Sequence, residues 1–522
     1  MNKLVILVIL VLIGLLVHYP SLQMSIYGDE WIDVYHFNNP IPSEAQISPL
    51  PGPLKYFTPY GFGIFLIGSL YQIFGTHYQW YFIISLIFKI FSAFCIYLIC
   101  LKVPLLINDH KTKQHLSLLT AILLLVGFTG LENTDWSHYM HIYLAAGLFL
   151  LTLFFQLDFL QAPTNKNRNL TLLFAGLALI IGTVRIFPLV FILPLFDSYL
   201  FLIHKDTSFR KKVILKCLLF ILTIGLFWAG GLFGYFFKIY SYGEWSLSKF
   251  MVVIITTPIE SLKALLYWIG SVAFPDYLLS DINLILVLGF LILVLIIKSL
   301  SNVFNLKNIS TQWRFLSSFL FLFFILVNWY YLPKSLIGSA HRYLFLIFVS
   351  FCLWLYIYLT HLLSQRAYLK NLIYFVLITI IVIHAGAVIN KYNYWLSIGR
   401  DSQYIQKVDT QLKQDFPKPL TQKTMIYLMT NDESIKQSTI FGMSVKVAVF
   451  SKTWSDNLIP ESIDDKNVLI NKINDRINKG EEKIQIIANI YGYQVTPDKN
   501  FISITDSLRT ELLVDRLLTS LP

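Results

Sequence analysis

Residues 3–19 read KLVILVILVLIGLLVHY, an almost unbroken run of apolar side chains. A helix needs about 20 such residues to cross the hydrocarbon core of a bilayer. Similar runs recur along the chain and predict about eleven membrane-spanning helices. The predicted spans are residues 3–19, 81–101, 115–131, 140–160, 169–184, 186–203, 213–235, 281–300, 313–331, 343–361 and 371–390.

The composition excludes a soluble globular protein. Of the 522 residues, 56% are hydrophobic and only 14% are charged, whereas soluble domains carry about 25% charged residues. The first apolar run resembles a signal peptide, but His18-Tyr19-Pro20 follows it in place of a small-residue cleavage site. We therefore predict a polytopic α-helical membrane protein with an uncleaved first helix. The short apolar segment 61–75 is expected to form a helix at the membrane interface.

The net charge of +11 is distributed unevenly along the chain. Residues 1–390 hold 24 basic and 14 acidic residues, whereas residues 391–522 hold 17 and 16. With the N-terminus inside, fifteen Lys and Arg residues fall on the cytoplasmic side and seven on the outer side. Because positively charged loops stay in the cytoplasm, this asymmetry predicts an inside N-terminus and an outside C-terminal domain for this multi-pass protein of the cell membrane. The sequence has no patch of basic and aromatic residues that is typical of nucleic-acid binding, so no nucleic-acid partner is expected.

The last part of the chain has a different pattern. Residues 1–390 form the predicted transmembrane domain, and residues 391–522 are predicted to be a small extracytoplasmic soluble α/β domain. Predicted strands cover Met425–Met429, Val445–Phe450 and Lys483–Ala488, and helical spacing covers Ser462–Ile473. The sequence of this domain favours neither a docking role nor a passive cap.

Two predicted outer loops carry paired carboxylates. Asp29 and Glu30 follow the first span in an aromatic setting, where partial burial would tune a carboxylate as a base. Glu132 and Asp135 lie in the second loop, which has no Lys or Arg. The competing interpretation is that these acids are ordinary solvated loop charges that hold helix ends in place.

Basic residues are predicted to lie on the same outer face. Lys55 is the only basic residue of the first loop, Arg185 stands between two apolar runs, and His341-Arg342 precedes a late span. Each residue alone is explained as an anchor at the interface, but a cation can equally bind a phosphate. A further lysine, Lys89, falls well inside the second span, and the sequence identifies no partner for it.

Acids and bases on one face suit sugar transfer from a phosphate. An acceptor hydroxyl needs a base, whereas a phosphate leaving group is already an anion and needs cations. Glycoside hydrolysis differs, because a second carboxyl group must protonate the leaving oxygen. The predicted set therefore favours transfer over hydrolysis.

The sequence resembles the GT-C superfamily of membrane glycosyltransferases, which includes protein O-mannosyltransferases and the aminoarabinose transferases of lipid A. The matching features are Gly28-Asp29-Glu30, the segment Lys55…Thr58-Pro59-Tyr60-Gly61, and His341-Arg342-Tyr343. The resemblance covers the architecture of residues 1–390. One departure is Leu54, where the aminoarabinose transferases have an acid before the lysine.

The resemblance implies an inverting glycosyltransferase that uses a polyprenyl-phosphate sugar donor at the outer membrane face. Asp29 would be the base, with Glu30 as its support, and Glu132 and Asp135 would orient the acceptor or tune the base. The donor phosphate would be held by basic residues, and these are Lys55, Arg185, His341 and Arg342. The acceptor would be a glycan, a lipid or a protein of the cell envelope, and membrane lipids would surround the helices.

No obligatory cofactor is expected, since the basic residues can neutralise the phosphate. Close convergence of the four carboxylates would favour a divalent metal ion. The alternative functions are a transporter or flippase for lipid-linked sugars, a polysaccharide polymerase or ligase, and a non-enzymatic assembly protein. A transporter would place polar residues through the membrane midplane, and an assembly protein would tolerate loss of Asp29.

Overall fold

The computed structural model describes most of the chain. The described residues are 2–39, 52–56, 61–103, 109–186, 193–194, 197–198, 201, 206–229, 255–276, 281–301, 309–329, 342–453 and 455–515. Within these ranges the chain is predominantly helical, and one small sheet lies near its C-terminal end.

Fourteen helices are described up to the junction with the C-terminal part. They are α1 (Lys3–His18), α2 (Asp29–Asn38), α3 (Gly61–Phe74), α4 (Gln79–Lys102), α5 (His110–Val126), α6 (Glu132–Asp135), α7 (His141–Gln161), α8 (Asn165–Ile186), α9 (Thr207–Ala229), α10 (Pro258–Ala273), α11 (Ile282–Ser301), α12 (Ile309–Trp329), α13 (Phe345–Gln365) and α14 (Lys370–Trp395). Short 3-10 turns adjoin several of them, including Gly52–Tyr56 and Ser137–Tyr139.

The chain is a multi-pass membrane protein. Six helical segments in the described ranges are long and apolar enough to cross a bilayer. They are Lys3–Gln23, Gln79–Lys102, Ser137–Phe159, Ile282–Ser301, Phe345–Gln365 and Ala367–Arg400. Four other predicted spans overlap helices α5, α8, α9 and α12, and the span predicted at 186–203 falls largely outside the described residues. The predicted helix at 61–75 is confirmed as α3, whereas the count of eleven spans stays a prediction.

Helix α5 separates two ends of the helical bundle. Its first turn follows Asp109, whose carboxylate lies 3.4 Å from the Lys370 ammonium, and its last residue leads into the segment that carries Glu132. The 17 residues of α5 span about 25 Å. The predicted cytoplasmic lysines Lys102 and Lys370 both pair with acids, and the Lys370 pair lies at the end of α5 away from the acidic loops.

Residues 402–515 form a sheet covered by helices. The strands are β1 (Met425–Met429), β2 (Glu461–Ile463), β3 (Ile490–Val495) and β4 (Phe501–Ser503), in the order β2-β1-β3-β4. The first three are parallel, with Met425 opposite Glu461 and Ile490, and β4 is antiparallel to β3. The helices are α15 (Ser402–Asp415), α16 (Glu433–Ile440), α17 (Met443–Phe450), α18 (Lys466–Asn478), α19 (Lys483–Ala488) and α20 (Thr505–Val514).

Two strands predicted in this part are wrong. The strand at Met425–Met429 is confirmed, but Val445–Phe450 lies in α17 and Lys483–Ala488 is α19. Short apolar runs do not distinguish a buried strand from a buried helix, because both bury most of their side chains. In α17, Gly442 adopts a φ of 93° immediately before the helix and permits the sharp turn that starts it.

The C-terminal part shares one apolar core with the start of the chain. Trp31 of α2 and Tyr78 beside α4 belong to the same buried cluster as Val408 of α15, Ile426 of β1 and Val447 of α17. Burial of large side chains of this kind contributes about 1.5–3 kcal/mol each. The sheet and its helices are therefore docked on α2, which carries Asp29 and Glu30.

Candidate active site

The acidic segment of the predicted first loop is a helix. Gly28 has a φ of 58°, and α2 begins at the next residue, so Asp29 and Glu30 occupy its first turn. Carboxylates are favourable there because the backbone N–H groups at a helix N-terminus carry partial positive charge. Asp33 lies one turn after Asp29 and therefore on the same face. Three acids thus project from one short helix.

Glu30 is completely buried, and both of its carboxylate oxygens accept hydrogen bonds. One carboxylate oxygen accepts the Tyr27 backbone N–H, and the other accepts the Ser137 hydroxyl and the His138 backbone N–H, the latter at 3.2 Å. Burial raises the pKa of Glu30 to about 7, although these hydrogen bonds and Arg400 act in the opposite direction. Glu30 therefore ties α2 to the segment after α6.

Asp29 is only partly buried, whereas Asp33 is largely buried. Burial raises the pKa of Asp29, and the positive charge of Arg342 opposes that rise. The pKa of Asp33 is raised well above its ordinary value, mainly by burial and then by repulsion from Glu30 and Asp29. The Asp33 carboxylate lies 3.8 Å from Nδ1 of His138. The charge that opposes the raised pKa of Asp29 is therefore the cation of Arg342.

Arg342 is held beside these acids by aromatic side chains. Its guanidinium lies 5.2 Å from the Trp136 ring centre and 4.9 Å from that of Tyr139, within the range of cation–π attraction. Its carbonyl accepts a hydrogen bond of 3.1 Å from the Asn133 side chain. Burial raises the pKa of Glu132, and the charge of Arg342 again opposes it. The positive charge of Arg342 therefore acts on an acid from each of the two predicted acidic loops, Asp29 and Glu132.

Asp135 forms an ion pair with Arg400, a residue that the sequence analysis did not single out. The Arg400 guanidinium also lies 3.9 Å from the ring centre of Tyr27. One signal was present in the sequence, since Arg400 follows the last apolar run directly after a glycine. Asp33 was also missed, because its i,i+4 relation to Asp29 matters only once the segment is known to be helical.

Lys55 lies at the other end of α2. Its ammonium is 5.0 Å from the ring centre of Tyr56, which stacks on Phe37 at 5.7 Å. Phe37 comes eight residues after Asp29, a distance of roughly 12 Å along a helix axis. The structure therefore brings Arg342, and not Lys55, to the start of α2.

Two of the predicted site residues have no described side chain. His341 lies outside the described residues, and for Arg185 the backbone alone is described, at the end of α8. Lys89 is buried in α4, where its ammonium donates to the Gly127 carbonyl at 3.3 Å and approaches His18. In the described part of the chain, no group of three or more His, Cys, Asp or Glu residues could hold a metal ion.

Comparison with solved structures finds similarity to ArnT. The apo crystal structure of ArnT from Cupriavidus metallidurans aligns with a TM-score of 0.37 and 11% sequence identity, over 94% of this chain and 93% of that chain. The structure of ArnT from the same organism bound to undecaprenyl phosphate aligns with a TM-score of 0.36 and 12% identity, over the same shares. No protein-family model matches the sequence, and no curated protein matches it.

Proposed function

We propose that the protein is an inverting glycosyltransferase that moves a sugar from a polyprenyl-phosphate carrier to an acceptor at the outer membrane face. The observation that carries this proposal is a partly accessible carboxylate, Asp29, at the head of α2 within electrostatic range of Arg342, whose guanidinium lies on the Trp136 and Tyr139 rings. The resemblance to GT-C enzymes supports the same assignment. A base beside a cation is the arrangement that transfer from a phosphate requires.

Asp29 and Arg342 have separate roles in the reaction: Asp29 accepts the proton of the acceptor, and Arg342 stabilises the negative charge on the leaving phosphate. The acceptor hydroxyl oxygen attacks the anomeric carbon while its proton passes to the Asp29 carboxylate. The bond between the anomeric carbon and the phosphate oxygen breaks, and its electron pair leaves on the carrier phosphate. Arg342 stabilises the anionic oxygen that results. Attack from the face opposite the leaving group inverts the configuration at the anomeric carbon.

The other predicted residues support these two. Glu30 fixes the position of Asp29 through its hydrogen bonds to Ser137 and His138. Glu132 and Asp135 orient the acceptor or tune the base. Three basic residues are proposed as further contacts to the donor phosphate, and these are Lys55, Arg185 and His341. The basic residues neutralise the phosphate, so the proposed mechanism requires no metal ion.

A transporter for lipid-linked sugars is the second candidate. It is favoured by a buried polar cluster within the helical bundle, where the Asp197 carboxylate lies 2.5 Å from the Lys216 ammonium and accepts a 2.9 Å hydrogen bond from Gln156. Charges buried between apolar helices are costly and therefore often functional. A transporter would move the intact sugar-carrier molecule, whereas a transferase separates sugar from carrier, so analysis of the products distinguishes the two.

Binding of the carrier tests the proposal directly. We expect the purified full chain in nanodiscs to bind undecaprenyl phosphate, and Arg342→Ala to weaken that binding by about 1.5–3 kcal/mol, the usual contribution of a charge-assisted hydrogen bond. Lys55→Ala should weaken it less than Arg342→Ala does, because Lys55 lies at the far end of α2 from Asp29. Titration calorimetry or native mass spectrometry measures the change.

The matched control is Arg476→Ala, which removes a partly exposed arginine paired with Glu481 in the C-terminal part. Its affinity for undecaprenyl phosphate should equal that of the parent. Equal affinity of Arg342→Ala and the parent would remove Arg342 from the phosphate site.

A further inference from the structure

The junction between the last membrane helix and the C-terminal part is bonded to the segment that leads into α2. The chain turns at Gly399, whose φ is 91°, and continues into α15. Both the backbone N–H and the hydroxyl of Ser25 donate to the Arg400 carbonyl, at 2.9 and 3.3 Å. Met24 and Asp401 form an isolated antiparallel bridge. The backbone at the junction therefore fixes the approach to α2.

The side chain of Arg400 extends from this junction into the acid cluster. It is only 7% exposed, and its ion-pair partner Asp135 is 3% exposed. One face of the guanidinium covers the Tyr27 ring, and Glu30 and Glu132 are near enough to interact with its charge. A single buried cation thus balances acids from α2 and α6, whose burial as unpaired charges would be unfavourable.

The C-terminal part makes further contacts with α2 and with the residues that precede it. Phe441, just before α17, packs on Tyr27 with ring centres 5.4 Å apart. The Lys446 ammonium lies 2.9 Å from the Asp409 carboxylate and 5.0 Å from the ring centre of Trp31. Contacts to Tyr27 and Trp31 therefore come from residues that follow the last membrane helix.

We propose that Arg400 is a positioning residue through which the C-terminal part aligns the acids of the site. This inference rests on the proposed glycosyltransferase function. The ion pair fixes Asp135 at the end of α6, two and three residues before Ser137 and His138, which hold Glu30. A shift of Asp135 would move these donors, and α2 with them. The junction between the last membrane helix and the C-terminal part is then required for alignment of the base.

A double-mutant cycle on the full-length protein tests this coupling. The variants are Arg400→Gln, Asp135→Asn, the double variant and Arg400→Lys, with Arg476→Gln as the matched control in a partly exposed ion pair. Misplacement of catalytic groups by about 1 Å costs about a hundredfold in rate, so each neutral single variant should lose about 10–100-fold in turnover. The double variant should lose no more than the worse single one, and Arg400→Lys should recover at least part of the rate.

Two further measurements separate positioning from phosphate binding. Affinity for undecaprenyl phosphate should stay within about threefold of the parent in Arg400→Gln, because the guanidinium is occupied by acids. Hydrogen exchange in peptides from residues 24–38 should accelerate in Arg400→Gln and in Asp135→Asn, and Arg476→Gln should leave it unchanged. This exchange is measurable without any substrate.

Three results would overturn the inference. They are turnover equal to the parent in Arg400→Gln, losses that multiply in the double variant, and a loss of carrier affinity as large as that of Arg342→Ala. The last would make Arg400 a phosphate ligand. If the parent neither binds nor uses the carrier, the proposed function fails, while hydrogen exchange still decides whether Arg400 aligns α2.

Discussion

At the scale of single residues, burial and hydrogen bonding act in opposite directions on the pKa of Glu30. Three donors surround its carboxylate, yet burial still raises its pKa to about 7. Asp29, the neighbouring residue, faces Arg342 and is only partly enclosed. Adjacent carboxylates in one helical turn therefore have different environments, one suited to holding structure and the other to accepting a proton.

The pKa of Glu30 predicts how stability depends on pH. Its ordinary pKa is 4.5 and its value in the folded protein is about 7, so the folded state binds more protons between these values. Stability should therefore fall as pH rises from about 4.5 to about 7, by up to about 3 kcal/mol, and level off above that. Thermal unfolding in detergent across this range measures the slope.

Glu30→Gln should flatten this slope, since an amide does not titrate. The amide NH₂ cannot accept the backbone N–H of Tyr27 or of His138, and this loss costs about 1–3 kcal/mol. Above pH 7 removal of the buried charge offsets that cost, so the variant should be destabilised most at low pH. The control is Glu433→Gln, which changes an exposed glutamate and should keep both stability and slope. A slope in Glu30→Gln equal to that of the parent would contradict the assignment.

At the scale of elements, the docking of α2 depends on a glycine. Gly28 has a φ of 58°, and a Cβ at this position would overlap the ring of Phe441. Gly28→Ala should therefore destabilise the protein through backbone strain, about 1–3 kcal/mol, and through the displaced ring. Gly480→Ala provides the matched control, because Gly480 has a φ of 89° but open space around it.

The difference between these two glycine variants measures the contact between α2 and the C-terminal part. Thermal unfolding should show a larger loss for Gly28→Ala than for Gly480→Ala, and Phe441→Ala in the Gly28→Ala background should recover part of the difference. Equal losses in both single variants would mean that Phe441 does not restrain α2.

The pattern of apolar residues along the sequence predicts the long membrane helices correctly but not the short buried helices, and the reasons are physical. Length and apolar content suffice for a membrane helix, so the six strongest spans and α3 were predictable. Short buried segments such as Val445–Phe450 carry no period that separates helix from strand. The pairing of Asp135 with Arg400 joins residues far apart in the chain, and neither local spacing nor composition identifies it.

At the scale of the whole molecule, the ends of α5 place the acidic site and the Lys370 pair far apart. The excess of Lys and Arg in the predicted cytoplasmic loops puts the Lys370 end inside. Residues 391–522 and the site would then face the outside. Reporter fusions after Lys113 and after Tyr404 should accordingly report opposite sides of the membrane. A report from the same side would contradict this topology and the proposed access of donor and acceptor to the site.

The central claim is that Asp29 is the base for sugar transfer. The direct measurement is the rate of transfer from a panel of radiolabelled sugars carried on undecaprenyl phosphate to native membrane acceptors, with membrane abundance determined beside it. Asp29→Asn should lower the rate about a hundredfold to ten-thousandfold at unchanged abundance, while Asp475→Asn, at an exposed position of α18, should match the parent. A rate in Asp29→Asn equal to that of the parent would contradict the claim, and so would a larger loss in Glu30→Gln at equal abundance.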